Sequence, residues 1–138
     1  MFVRVTKFAA LLPISIVILV TCSAALAQGG GKAEPNRIEF KRGTSSTIIS
    51  GVVRGDEQAE YVLGAKQGQR LVITLTSVPV KSSVFQLLGE GNDTLGLEHD
   101  ANFEYSGILP RTGDYFITVR RPTEAKGTSR YKLTVTVR

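Results

Sequence analysis

Tryptophan is absent from this 138-residue chain, and cysteine and histidine each occur once. The one cysteine, Cys22, lies in an N-terminal stretch with the features of an export signal. Beyond that stretch the chain cannot form a disulfide, a thiol nucleophile or a cysteine-ligated metal site. A lone histidine, His99, excludes a three-histidine zinc site and a HExxH motif, and argues against a catalytic triad. A block of like charge is also missing. Lys and Arg number 17 against 12 Asp and Glu, a net charge of +5, and they are scattered. Scattered charge marks a solvated surface. With no basic stripe interleaved with aromatics, nucleic-acid binding is not expected. The composition therefore points away from an enzyme and implies neither cofactor nor metal. Hydrophobic residues at 42% and charged residues at 21% are ordinary for a globular domain and wrong for disorder.

What is present begins with a leader. Arg4 and Lys7 precede a nearly continuous apolar run over residues 8–20, and Ala25-Leu26-Ala27 fits the small-x-small cleavage pattern. These three parts make residues 1–27 a secretory signal peptide cleaved after Ala27. The apolar run is short for a membrane span, so none is expected after cleavage. Two other readings stay open. One is an uncleaved anchor. The other is a lipoprotein, because Leu19-Val20-Thr21-Cys22 resembles a lipobox, with Thr21 where Gly, Ala or Ser is preferred. Cleavage would leave 111 residues carrying 15 basic and 12 acidic side chains, a net of +3. That length suits one domain able to bury roughly two-thirds of its unfolded surface. The periplasm is the simplest destination. Residues 28–36, Gly-rich and polar with Pro35, read as a flexible leader, and residues 37–138 as a single domain.

That domain is a succession of short period-2 segments separated by turn residues, the pattern of half-buried strands. The segments are residues 37–40, 47–53, 59–65, 70–76, 83–88, 103–109, 115–120 and 131–137, with 94–98 a weak ninth. No window shows a 3.6-residue apolar stripe. Turns recur at the spacing of a sandwich or barrel, and the alternating faces imply antiparallel sheets with one side in water. The expected fold is all-β: a jelly-roll-like antiparallel β-sandwich of eight or nine short strands. Tyr61, Leu63, Leu71, Ile73, Leu75, Phe85, Leu87, Tyr115, Ile117, Val119, Leu133, Val135 and Val137 should fill it.

Few residues could carry chemistry. Asn92-Asp93 and His99-Asp100 are oxygen-rich but lack calcium-loop spacing; Asn and Asp stabilise tight bends without any metal. Nothing in the sequence sets any two glutamates across a groove. Residues 120–130 are more informative, with Arg120, Arg121, Lys126 and Arg130 against Glu124. They join two well-defined strands and are long for a hairpin. Long basic loops on rigid sandwiches often bind partners, and guanidinium forks suit carboxylates. The same charges could equally be a solvated tip that discourages edge pairing.

Two stretches resemble the bacterial pre-peptidase C-terminal domain. They are residues 61–69, followed by an alternating strand, and Leu109-Pro110-Arg111-Thr112-Gly113-Asp114-Tyr115. A narrower resemblance, from Arg37 to the end, is to the periplasmic inhibitors of g-type (goose-type) lysozyme. It rests on Arg37-Ile38-Glu39-Phe40, Gly43, Ser50-Gly51, Gly55, Tyr61, Gly68-Gln69, Leu109-Pro110, Gly113, Tyr115 and Tyr131. The broader resemblance implies a small accessory sandwich. The narrower one implies an inhibitor whose loops enter the lysozyme cleft, with basic residues of the last loop engaging acidic groups there. The basic residues would be Arg120, Arg121, Lys126 and Arg130, with Glu124 beside them in the same partner-binding loop, aided by the neighbouring residues 89–102. The alternative is a module that binds peptidoglycan or another envelope protein, using exposed aromatics such as Phe116.

Overall fold

The computed structural model describes residues 34–89, 102–122 and 125–138, and Ala33–Arg138 form a compact unit by themselves. The signal segment, most of the leader, the weak strand at 94–98, Asn92-Asp93, His99-Asp100 and Glu124 lie outside the described residues.

Each period-2 segment within them forms a strand. The strands are β1 (Asn36–Arg37), β2 (Ser46–Arg54), β3 (Gln58–Ala65), β4 (Arg70–Val78), β5 (Val84–Gly89), β6 (Glu104–Ile108), β7 (Gly113–Arg120) and β8 (Thr128–Val137). They make two four-stranded sheets, one ordered β1-β3-β7-β5 and the other, the β8 sheet, ordered β2-β8-β4-β6. From β2 onward, successive strands alternate between the sheets, the jelly-roll habit. Every pairing is antiparallel except β1 with β3, which is parallel. β1 is a two-residue edge strand, and the antiparallel sandwich expected from the alternation holds for the other pairings. The strand is shorter than the residue 37–40 segment expected, because the chain leaves the sheet edge once the Ile38 amide has donated to Val62 O at 2.8 Å.

Burial follows the alternation. Leu71, Ile73 and Leu75 of β4 face Leu133, Val135 and Val137 of β8 along one ladder. Tyr61 and Leu63 sit opposite Ile117 and Tyr115 in the other sheet. All the side chains expected in the interior belong to the buried cluster. Ile38, Val53, Leu109 and Tyr131 join them. Ile38 and Leu109 lie in connections, where alternation specifies no face.

Three tyrosines explain residues that carried the family resemblance. The hydroxyls of Tyr61 and Tyr131 share a buried hydrogen bond of 2.6 Å between the sheets. Burial, then the bond to Tyr61, raises the Tyr131 pKa well above its ordinary value. The Tyr115 hydroxyl donates to the Arg111 carbonyl at 2.6 Å and accepts from the Arg111 amide at 3.2 Å. That closes the turn before β7. Leu109 pairs with the β3–β4 turn through its amide to Gln69 O and its carbonyl to Gly68 N. The Leu109 to Tyr115 motif is thus a fold-closing device at one end of the sandwich.

Candidate partner-binding site

The opposite end carries the β2–β3 turn, the β4–β5 loop and the β7–β8 connection. The last of these is not a hairpin, because β7 and β8 belong to different sheets. It crosses the roughly 10 Å that separates stacked sheets. The β2–β3 turn makes the same crossing beside it. Glu57 closes that turn, its amide donating to Arg54 O at 2.9 Å and its carboxylate accepting from Arg54 N at 3.1 Å. The Gly55 amide donates to Gly127 O at 2.9 Å and ties the two arches together.

Between them lies a concavity lined by Gly55, Asp56, Glu57 and Gln58 on one side and by Arg120, Arg121, Ala125 and Lys126 on the other. Arg120 ends β7, is half-buried, and donates from Nη1 to Arg121 O at 3.1 Å. Arg121 lies across Gly127, where a Cβ would come within 3.4 Å of its Nη1. Gly127 has a φ of +90°, which residues with a side chain rarely adopt, so the backbone favours glycine here. The Nε and Nη1 atoms of Arg121 are shielded from solvent and have no hydrogen-bond partner among the described residues. Those two nitrogens have lost water without an acceptor among the described residues, a cost that pairing with a carboxylate would offset. Lys126 stands exposed on the same arch.

The structure therefore gathers Arg120, Arg121 and Lys126. It does not gather Arg130 with them. Arg130 is the third residue of β8 and faces outward from the β8 sheet, between Val52 of β2 and Val78 of β4. Of the helper segment at 89–102, Gly89 pairs with Tyr115 at the far end of the sandwich, and Asn102 accepts from the Phe85 amide; residues 90–101 lie outside the described set. The β2–β3 turn was visible in the sequence as Arg54-Gly55-Asp56, but no sequence signal places it against the last connection. Phe116 is half-buried between Val62 and Leu88 rather than exposed. Its strand is central in its sheet, so neighbouring side chains flank it on both sides.

No protein-family model matches the chain. In sequence it is 27% identical over 110 residues to an inhibitor of g-type lysozyme from Escherichia coli (strain K12), a match spanning 73% of this chain and 79% of that protein. In structure it is similar to PliG of Aeromonas hydrophila, a periplasmic inhibitor of g-type lysozyme, with a TM-score of 0.67 and 21% identity over 75% of this chain and 96% of the other. It also shares its fold with the pre-peptidase C-terminal domain of a collagenase from Bacillus anthracis, with a TM-score of 0.52 and 16% identity over 76% and 95% of the two chains. The first two relatives are inhibitors of g-type lysozyme. Both resemblances read from the sequence hold: the chain is similar in sequence to an inhibitor of g-type lysozyme, and it shares its sandwich fold with a periplasmic inhibitor of that kind and with a pre-peptidase C-terminal domain.

Proposed function

We propose that this is a non-catalytic protein of the periplasm that inhibits a g-type lysozyme by presenting the β7–β8 connection to the enzyme's substrate cleft. The sequence match to an inhibitor along 73% of the chain carries the reading. The half-buried Arg121 guanidinium, with Nε and Nη1 unpartnered among the described residues, supports the place. In this reading Arg121 meets an acidic group of the cleft, Lys126 adds a second cation, and Arg120 braces the arch through the Arg121 carbonyl. Lys126 acts as a point charge and cannot reproduce a bidentate fork. The domain is itself basic, so it gains no long-range steering toward a basic enzyme, and local pairing must dominate.

The test is lysis of a peptidoglycan suspension by a g-type lysozyme, with and without the Ala33–Arg138 unit, beside a chicken-type lysozyme control. Selective inhibition near one-to-one stoichiometry is expected. Replacing Arg121 and Lys126 together by alanine should weaken it about tenfold or more, as for a truncated arginine hot spot. Undiminished inhibition by that double variant would move the contact elsewhere. Inhibition of neither enzyme would leave only the scaffold, and retention on peptidoglycan or an envelope protein would become the reading to pursue.

A further inference from the structure

Beside the concavity, and facing away from it, the molecule exposes a second surface of different character. Val78 of β4 and Val80 of the β4–β5 loop are 72% and 84% solvent-exposed, the most exposed of the large apolar side chains among the described residues. They flank Pro79 on a ridge between two shallow concavities. One is lined by Val52, Val78, Arg130 and Lys132, the other by Val80, Lys81, Phe103 and Glu104. Strand register fixes the first group: Val52, Arg130 and Val78 are neighbours across β2, β8 and β4, with Lys132 in the next outward-facing row.

The ridge is braced from below. Proton accounting orders a chain of hydroxyls, since each serine has one proton to give. Ser82 donates to Pro79 O at 2.6 Å. Ser129 then donates to Ser82 at 2.5 Å, and Ser83 to Ser129 at 2.6 Å. The Ser77 hydroxyl also accepts the Ser82 and Ser83 amides, at 3.0 and 3.2 Å. Lys81 has a φ of 60°, a strained conformation for a residue with a side chain. Its ammonium lies 5.5 Å from the centroid of the Phe103 ring. Strain of this kind persists only where the surroundings over-determine it. The loop is thus rigid while its tip is apolar and wet.

We propose that this ridge docks on an anionic phospholipid surface, with Val78 and Val80 entering the headgroup boundary and Lys81, Arg130 and Lys132 pairing with lipid phosphates. Charge complementarity selects this occupant. Three cations surround the tip, and the carboxylate among the described residues lining it is Glu104, on the Phe103 side. A second copy of the chain would bring the same cations against each other. A ridge also suits insertion into a soft surface better than enclosure of a peptide. Apolar insertion plus anionic attraction is how peripheral proteins bind membranes.

The test is co-sedimentation of the Ala33–Arg138 unit with vesicles of phosphatidylcholine alone or mixed with phosphatidylglycerol. Binding to the mixed vesicles, weakening with salt, is expected. Val80→Asp should abolish it with an unchanged melting curve, since Val80 has few neighbours to lose. Lys81→Ala should weaken it about fivefold, near the worth of one cation at an anionic surface. Lys66→Ala, an equal charge change at the far end of the sandwich, should leave it unchanged. Equal losses from Lys81→Ala and Lys66→Ala would mean attraction by net charge only and overturn the proposal. So would binding that survives Val80→Asp, absence of binding to either vesicle, or a concentration-dependent dimer that Val80→Asp disrupts.

Discussion

The Gly51–Tyr131 pair shows how much one missing side chain can matter. The two residues are cross-strand partners, and a Cβ at Gly51 would collide with the Tyr131 ring and hydroxyl. Gly51→Ala should therefore destabilise the fold by about 1–3 kcal/mol, the usual cost of overpacking, read as a lower urea midpoint at unchanged slope. Tyr131→Phe should cost a similar amount, about 1–3 kcal/mol, by leaving the buried Tyr61 hydroxyl without its partner. The Tyr131 hydroxyl also sets a pH dependence. Its pKa is raised in the folded protein, so above the unfolded value near 10 the unfolded chain gives up a proton that the folded chain keeps. Its contribution is complete below pH 10 and is lost as pH rises from there. Denaturant midpoints should fall above pH 10 in the parent, and less steeply in Tyr131→Phe. By contrast the Arg37–Asp114 ion pair, 3.3 Å long and exposed over Gly64, should matter little.

At the scale of the element, alternation located the strands but not the course of the connections between them. Residues 120–130 read as one basic loop. The fold divides them, giving Arg120 to β7, Thr128 to Arg130 to β8, and only the middle to the arch. Arg130 is directed to another face by pairing with Val52 and Val78. Arg121→Ala is therefore expected to weaken lysozyme inhibition more than Arg130→Ala does, measured side by side in the lysis assay. The serine-braced loop is a second case. Ser77, Ser82, Ser83 and Ser129 look like ordinary polar residues in sequence. Only the packing of β8 against the β4–β5 loop makes them a relay. Ser129→Ala should speed hydrogen exchange at the Ser82 and Ser83 amides while core strands keep their protection.

Over the described residues, no strand pairs with its immediate neighbour in the chain. Every ladder is non-local, so loop closure must be completed before any pairing stabilises it. Folding should fall in the millisecond-to-second range typical of β-sandwiches, measured by stopped-flow dilution from denaturant. The same alternation between sheets gives the molecule two differently furnished ends. One is closed by Tyr115 and Leu109. The other collects three sheet-crossing connections, with the arginine-lined concavity and the apolar ridge on different sides of it.

Alternation of apolar and polar residues, with glycines at the turns, was enough to specify an all-β sandwich and its core, because burial on one face demands period 2 in any strand. With one histidine and one cysteine, the sequence by itself argued against a three-histidine zinc site and a cysteine-ligated metal site. The tyrosines and glycines behind the family resemblance proved to be fold-closing contacts, which is why they identify the scaffold better than the activity. Sheet membership was not legible: nothing local in residues 120–130 says that β7 and β8 lie in different sheets. That one fact turns a supposed hairpin into an arch, sets Arg121 beside the β2–β3 turn and sends Arg130 to another face. Strand order is decided by which apolar faces meet across the core, and such meetings are made in three dimensions between residues far apart in the chain.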